Sequence, residues 1–205
     1  MARGLILDRD GTLVDFVRDP ELGSVSPAFH PDHLRLLPGV VDGLRAFAAA
    51  GYLLAIATNQ PDAAKGRIPV RAIARTNQAL VALLGRHGIA IAGIECCLHH
   101  PEGGPGGDPA LVRTCDGRKP GPGMLLRLVA RLGLDPAASW LVGDTENDLG
   151  AARAAGLRCA LVVPVRRCDI CPLANRPPGA GAPDLVASRL DELAGVLLAE
   201  PPAPC

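Results

Sequence analysis

The sequence predicts an α/β fold in which helices cover both faces of a mainly parallel sheet. Short, continuously apolar segments alternate with longer segments whose apolar residues recur at helical spacing. The former are typical of buried strands and the latter of amphipathic helices. Strands that alternate with helices form βαβ units and hence a parallel sheet. In such sheets, ligands bind at the carboxyl ends of the strands.

The individual elements follow from this spacing and from the glycines that end helices. The first strand covers residues 5–7, between Gly4 and Gly11. A polar, turn-rich stretch at 15–38 is expected to form loops. The remaining elements are, in chain order, a helix from 40 to Gly51, a strand at 52–57, a helix from 70 to Gly88, a strand at 91–96, a helix at 123–132, a strand at 140–142, a helix at 145–155, a strand at 159–163 and a helix at 188–199.

Length and composition limit the class of protein. A chain of 205 residues can bury one good core, so we expect a single domain at 1–199 and a flexible tail at 200–205. Lys plus Arg and Asp plus Glu each number 21 and aromatic residues make up 2%, so nucleic acid is not an expected partner. Seven cysteines, an odd number, fit reduced thiols. Since no signal sequence or membrane-spanning run stands out, we expect a cytoplasmic monomer without membrane contact.

Two acidic residues directly follow the first strand. Asp8 and Asp10 flank Arg9, and the loop after a strand can bring both carboxyl groups to one reaction centre. Two carboxylates this close repel each other unless a cation or a proton intervenes. The pair therefore indicates a metal site with one ionised nucleophile and one carboxyl group that can carry a proton.

Further polar residues follow other strands or open a helix. They are Thr58, Asn59, Asp144, Asp148 and, from a loop, Lys119. Taken singly, they have structural explanations: a helix cap for Thr58 or Asp144, a solvated surface for Lys119, and a plain turn for the acidic pair. Taken together, a nucleophilic carboxylate, a hydroxyl group, a cation and a distal acid are the groups that phosphoryl transfer requires.

The motifs and their order also carry a resemblance. They are Asp8-x-Asp10-Gly11-Thr12, Thr58-Asn59, Lys119 and Gly143-Asp144-x-x-x-Asp148. In this order they resemble the haloacid dehalogenase superfamily of phosphatases, over about residues 4–163. The resemblance implies a three-layer Rossmann-like fold.

The same resemblance implies a Mg²⁺-dependent phosphomonoesterase. Asp8 would attack phosphorus and form an aspartyl-phosphate. Asp10 would protonate the leaving oxygen and then activate the water that cleaves this intermediate. Mg²⁺ prefers oxygen ligands and would be held by the Asp8 carboxylate, the Asp10 backbone carbonyl and Asp144.

Five further residues would bind phosphate or support the site. Thr58 and Asn59 would contact the phosphate or the substrate, and Lys119 would neutralise charge on the phosphate and on the nucleophile. Arg118 would add a second cationic contact to phosphate, or would only pair with an acid. Asp148 would orient Lys119 or a metal-bound water.

Two segments indicate which phosphatases of this superfamily the chain resembles most. His99-His100-Pro101-Glu102 and Pro122-Gly123-Met124-Leu125-Leu126 resemble the D,D-heptose 1,7-bisphosphate phosphatases more closely than the related histidinol-phosphate phosphatases. This implies D-glycero-D-manno-heptose 1,7-bisphosphate as the substrate, no large cap domain, and a metal-binding insertion at about 97–119. The alternatives are a histidinol-phosphate phosphatase and a non-catalytic phosphate-binding or metal-stapled module.

The zinc ligands that this resemblance implies are incomplete. The relatives carry Cys-x-His followed by Cys-x-Cys, whereas this chain offers Cys97, His99 and Cys115 but has Gly117 in the fourth place. Either the loop binds no zinc, or a substitute ligand or a more distant thiol completes the site. We expect the three residues still to bind Zn²⁺. The candidate substitutes and distant thiols are Cys96, His100, Asp116, Cys168 and Cys171.

Overall fold

The computed structural model describes residues 1–163 and 181–199. The Cys168 and Cys171 pair and the expected tail at 200–205 lie outside the described residues. The strands are β1 Gly4–Leu7, β2 Val17–Asp19, β3 Ser24–Ser26, β4 Leu53–Asn59, β5 Gly93–Cys97, β6 Trp140–Gly143, β7 Arg158–Val162 and β8 Leu185–Ala187. The α-helices are α1 Val40–Ala49, α2 Val70–Arg86, α3 Gly123–Leu132, α4 Glu146–Ala154 and α5 Leu190–Ala199.

Six of these strands form one sheet, in the order β5-β4-β1-β6-β7-β8. Every neighbouring pair in it is parallel. β1 lies between β4 and β6, and all four of its residues are buried. The predicted α/β fold with a central parallel sheet is confirmed.

Helices cover both faces of the sheet and make three layers. Leu5 and Leu7 belong to one apolar core, which includes residues of α1, α2 and α5, whereas Ile6 belongs to a second core with α3 and α4. This alternation reflects the two-residue period of an extended strand. Among the described residues, no helix combines the length and the apolar character that crossing a bilayer requires.

Two parts of the fold differ from the sequence prediction. The stretch expected to form loops contains an antiparallel hairpin of β2 and β3, and β8 adds a further strand beside β7 at the edge of the sheet. Each of these strands has three residues and is at least partly exposed. Such strands are too short for a two-residue period to distinguish them from a loop.

The parallel register brings the carboxyl ends of β1, β4 and β6 to one edge. The Asp8 backbone N–H donates to the Val142 carbonyl at 2.8 Å, which ties the end of β1 to β6. At the end of β6, a Cβ on Gly143 would collide with the Asp148 side chain. Glycine at this position therefore lets an acidic side chain of α4 pack directly against the strand.

Candidate active site

A buried lysine joins two acidic residues at this edge. Lys119 Nζ donates to Asp8 Oδ1 at 2.7 Å, to Asp148 Oδ1 at 2.6 Å and to the Ala57 carbonyl at 2.9 Å. An ammonium group has three N–H donors, so protein acceptors use all of them. The Lys119 side chain is 3% exposed, and its position between the two carboxylates is fixed. We refer to Asp8, Lys119 and Asp148 as the strand-end cluster.

Asn59 holds the backbone that carries this lysine. Its Oδ1 accepts a hydrogen bond from the Lys119 backbone N–H, and its Nδ2 donates to the Lys119 carbonyl, both at 3.0 Å. The sequence predicted that Asn59 contacts phosphate or substrate. Both ends of its amide attach the loop at Lys119 to the end of β4. Asn59 also lines the cavity described below, so its contact with phosphate or substrate stays a prediction.

Asp148 divides its oxygens between the lysine and the start of its own helix. Its Oδ2 accepts hydrogen bonds from the Thr145 backbone N–H at 3.1 Å and from the Thr145 hydroxyl at 2.7 Å. The N-cap position of α4 is therefore occupied by Thr145 and not by Asp144.

Burial and neighbouring charges shift the titration of the cluster. Burial raises the pKa of Asp8 to about 6; Lys119 opposes this rise, and the Asp148 and Asp10 carboxylates add to it. Burial lowers the pKa of Lys119, but the Asp148 and Asp8 carboxylates outweigh it, and the net shift is upward. Lys119 is therefore a permanent cation that favours the ionised form of Asp8.

Three buried carboxylates converge beside this lysine. One oxygen each of Asp8, Asp144 and Asp148 lies within 4.8 Å of the others. Three negative charges this close exceed what one lysine can neutralise, and hard oxygen donors suit Mg²⁺. Asp8 and Asp144, two of the predicted Mg²⁺ ligands, therefore lie close enough together to hold one divalent cation. The carboxylate of Asp10 is not one of these three groups and has different partners.

Asp10 is held by two side chains to which the sequence motifs assigned no function. Arg9 donates from Nε to Oδ2 at 3.0 Å and from Nη2 to Oδ1 at 3.1 Å, and Gln60 Nε2 donates to Oδ2 at 2.6 Å. Arg9 is buried. The sequence did contain an indication of the Arg9–Asp10 pair, because an arginine at the end of a buried strand needs an acidic partner.

An open cavity of about 290 Å³ lies against these residues. Thr58, which lines it, is buried, and its Oγ1 accepts a hydrogen bond from Gln60 Nε2 at 3.0 Å. Arg118 also lines the cavity and donates to the His99 carbonyl at 3.4 Å. Other residues that line it are Asp10, Asp144, Phe16, Pro27, Lys65 and Arg67. The cavity thus combines acids at the strand ends with several cationic side chains.

A second group of side chains lies at the end of β5 and in the loop before α3. Cys97 Sγ and Cys115 Sγ are 3.4 Å apart, and His99 Nδ1 lies 3.1 Å from Cys115 Sγ and 3.8 Å from Cys97 Sγ. Ligand atoms of a tetrahedral ion bound at about 2.0–2.3 Å have spacings of this order. We refer to Cys97, His99 and Cys115 as the loop cluster.

Two candidate substitutes for the missing fourth ligand have other surroundings. The Cys96 side chain lines a separate cavity together with Asn77 of α2. His100 Nδ1 accepts hydrogen bonds from backbone N–H groups of the loop that follows it. A Cβ on Gly117 would lie 3.7 Å from Cys115 Sγ, so glycine leaves this side of the cluster without a ligand. Within the residues that the structure describes, three side chains form the group.

The chain resembles several known proteins in sequence. A family model described as HAD-hydrolase-like matches residues 117–193. A D-glycero-beta-D-manno-heptose-1,7-bisphosphate 7-phosphatase from Pasteurella multocida is 32% identical over 164 residues, which are 80% of this chain and 82% of that protein. The protein of the same name from Yersinia pestis is 34% identical over 160 residues, 78% of this chain and 79% of that protein. The chain belongs to the haloacid dehalogenase-like (HAD) family.

A solved HAD structure agrees with this assignment. The D,D-heptose 1,7-bisphosphate phosphatase from B. bronchiseptica, complexed with magnesium and phosphate, matches with a TM-score of 0.73 and 27% identity. The match covers 96% of this chain and 98% of that one. The predicted HAD resemblance and the predicted three-layer fold are both confirmed.

Proposed function

We propose that this HAD protein is a Mg²⁺-dependent phosphatase that hydrolyses D-glycero-β-D-manno-heptose 1,7-bisphosphate. The observation that carries the proposal is the buried strand-end cluster, in which Lys119 fixes the carboxylate of Asp8. Beside it, Arg9 holds a second acid, Asp10. Phosphoryl transfer through a covalent intermediate requires such a nucleophile, cation and acid. Relatives at 32% and 34% identity are named 7-phosphatases of this sugar, which supports the substrate.

Asp8 and Asp10 divide the reaction into two steps. In the first, a carboxylate oxygen of Asp8 attacks phosphorus, the ester P–O bond breaks, and Asp10 transfers a proton to the leaving oxygen. In the second, Asp10 accepts a proton from the water that attacks the aspartyl-phosphate. Inorganic phosphate leaves and the Asp8 carboxylate is restored. Lys119, hydrogen-bonded to Asp8 at 2.7 Å, holds the nucleophile and offsets its charge.

The carboxylates of Asp8 and Asp144 and the backbone carbonyl of Asp10 would hold Mg²⁺. When bound, the ion supplies the positive charge that lets an anionic phosphate approach an ionised nucleophile. Asp148 uses its oxygens on the lysine and on the N-cap of α4, so its task is to orient the lysine. The B. bronchiseptica structure was solved with magnesium and phosphate, which supports Mg²⁺ as the ion.

Thr58 and the cationic side chains would bind the phosphate groups. The Thr58 oxygen accepts a hydrogen bond from Gln60, so its O–H can donate to a phosphoryl oxygen. Arg118 and Lys65 line the same cavity, and a bisphosphate brings two anionic groups into it. Guanidinium and ammonium groups suit such a ligand.

Phosphate release tests the proposed function. The purified protein with Mg²⁺ is assayed on the heptose bisphosphate, on histidinol phosphate and on 4-nitrophenyl phosphate. We expect Mg²⁺-dependent release, with kcat/KM for the heptose bisphosphate at least about tenfold above that for histidinol phosphate. The reverse ranking would favour the histidinol-phosphate alternative, and no release from any ester would favour a non-catalytic binding module.

We also propose that the loop cluster binds Zn²⁺ through three protein ligands. Two thiols and an imidazole within 3.8 Å of one another form a soft donor set that suits this ion. Because Arg118 hydrogen-bonds to the His99 carbonyl, a bound ion would order the loop that presents this cation to the cavity. Protein prepared with zinc under reducing conditions should contain about one zinc ion per chain. Protein without zinc would overturn this assignment.

A further inference from the structure

Arg9 is a buried charge that takes no part in the two chemical steps of the proposed reaction. Its side chain is 1% exposed. A guanidinium group removed from water costs free energy unless acids or several hydrogen-bond acceptors surround it. The acceptors around Arg9 therefore indicate what the residue is placed to hold.

One side of Arg9 fixes the carboxylate of Asp10. The bonds from Nε to Oδ2 and from Nη2 to Oδ1, at 3.0 and 3.1 Å, form the paired geometry in which two N–H donors set the plane of a carboxylate. Gln60 adds a third hydrogen bond, to Oδ2. Both oxygens of Asp10 are thus oriented before any substrate binds. Oδ1 accepts one of the three hydrogen bonds and keeps a lone pair that can carry the proton that Asp10 transfers.

The other side of Arg9 is braced by two different parts of the protein. Asn77 Oδ1, on the buried face of α2, accepts a hydrogen bond from Arg9 Nη1 at 2.7 Å. The Ala28 carbonyl, just after the hairpin, accepts one from Nη2 at 3.2 Å. Asn77 is itself buried, so its position is set by the packing of α2 against the sheet. The helix therefore fixes the guanidinium, and the guanidinium fixes Asp10.

We propose that Arg9, braced by Asn77, is a positioning residue that orients Asp10 for proton transfer to the leaving oxygen. The inference rests on the proposed function, because that function assigns the proton transfer to Asp10. The proposal predicts that a substitution which disturbs Arg9 lowers activity by a factor that depends on the leaving group of the ester. A sugar alkoxide needs the proton as the P–O bond breaks, whereas 4-nitrophenolate is stable without it. A general loss of packing would not distinguish the two esters.

The first test removes the brace and leaves the Arg9–Asp10 pair in place. Asn77→Ala is compared with Gln78→Ala, an exposed amide at the next position of α2. Because kcat/KM reports only the steps up to departure of the leaving group, hydrolysis of the aspartyl-phosphate does not affect it. Asn77→Ala should lower kcat/KM about tenfold for the heptose bisphosphate and less than about twofold for 4-nitrophenyl phosphate. Gln78→Ala should change neither by more than about twofold.

A second test asks whether Asn77 acts through Arg9. In an Arg9→Met background, Asn77→Ala should have no further effect on kcat/KM for the heptose bisphosphate, because the group that it braces is gone. Additive losses would show that Asn77 acts independently of Arg9 and would overturn the proposal. If Arg9→Met does not fold, the comparison of Asn77→Ala with Gln78→Ala on the two esters decides alone.

The outcomes separate this inference from the proposed function. Equal losses on both esters in Asn77→Ala, or no loss on either, would overturn the role of Arg9 and leave the proposed function intact. A wild-type protein that releases phosphate from neither ester would overturn the proposed function, and the role of Arg9 would fail with it.

Discussion

The strand-end cluster and the loop cluster both gather side chains from distant parts of the chain, but they differ in what holds them together. In the strand-end cluster, a buried lysine donates to two carboxylates at 2.6 and 2.7 Å, so opposite charges attract. In the loop cluster, two thiols and an imidazole face one another without opposite charges, and two of the three side chains are half-buried. The first cluster is joined by its own ion pairs, whereas the second would be joined by a metal ion.

This difference predicts which properties of the protein should change when a residue of each cluster is substituted. Loss of a strand-end residue should affect turnover and the stability of the whole fold, because the cluster connects the central strand with α4. Loss of a loop-cluster residue should mainly affect metal content and the order of one loop, because only Cys97 of this cluster lies in the six-stranded sheet, at the end of its edge strand β5. The following substitutions test this contrast.

The largest effect is expected for Asp8→Asn. An amide is a far weaker nucleophile than a carboxylate, so turnover should fall at least about 10⁴-fold. The fold should persist, because the amide oxygen can still accept the hydrogen bond from Lys119; circular dichroism checks this. Asp42→Asn, an exposed acid on α1, is the control. Near-normal turnover in Asp8→Asn would exclude Asp8 as the nucleophile.

Compared with Asp8→Asn, Lys119→Met should lower turnover less and the free energy of unfolding more. It leaves the carboxylates of Asp8 and Asp148 buried without their cation, and breaking a buried pair in this way costs about 3–5 kcal/mol. Turnover should fall about 10²- to 10³-fold, because a fixed positive charge is lost from the site. Urea unfolding in the absence of Mg²⁺ measures the change in the free energy of unfolding.

The double variant Lys119→Met/Asp148→Asn is the matched control for that measurement. It removes one carboxylate together with the cation, so it should regain about 1–2 kcal/mol of the lost stability. If Lys119→Met alone unfolds at the wild-type urea concentration, the strand-end cluster does not stabilise the fold and the contrast with the loop cluster fails.

The strand-end cluster was largely predictable because the fold class dictates where strand ends meet. An apolar run followed by Asp8 or Asp144 marks the carboxyl end of a parallel strand, and such ends share one edge of the sheet. The same reasoning does not reveal which side chains pair. The contact between Arg9 and Asn77 joins positions 68 residues apart, and no local periodicity reports it.

The attachment of Asn59 to the Lys119 backbone, 60 residues away, was missed for the same reason. An amide at a strand end is equally compatible with a ligand contact and with a backbone contact, and only the packed structure distinguishes them. The cytoplasmic location, the monomeric state, the single domain at 1–199 and the absence of nucleic-acid and membrane partners stay predictions from composition and length.

Cys115→Ser tests the loop cluster directly. Removal of one of three ligands should lower zinc content from about one ion per chain to a small fraction of that. Turnover should fall by less than about tenfold, because the cluster does not contact the reacting groups. Cys159→Ala, a buried thiol of β7, is the control and should keep its zinc. Unchanged zinc content in Cys115→Ser would show that the ion is held elsewhere.

Gly117→Cys should have the smallest effect on turnover, within about twofold. It should also make the loop cluster bind zinc more tightly. A Cβ at this position would lie 3.7 Å from Cys115 Sγ, and its nearest contact, at 3.1 Å, is the flexible end of the Arg127 side chain. The new thiolate can therefore reach the ion and complete a tetrahedral site. Competition with a coloured chelator should show zinc release at least about tenfold slower than in the wild type.

Gly117→Ala is the matched control for this substitution, because it adds the Cβ without the thiol. Its zinc release should remain close to the wild-type rate. If the alanine and cysteine variants release zinc equally slowly, stiffening of the loop and not a fourth ligand would explain the change. Slower release from the cysteine variant alone would show that the number of ligands sets how tightly the loop cluster holds its ion. The strand-end cluster, in contrast, is held together by its own ion pairs.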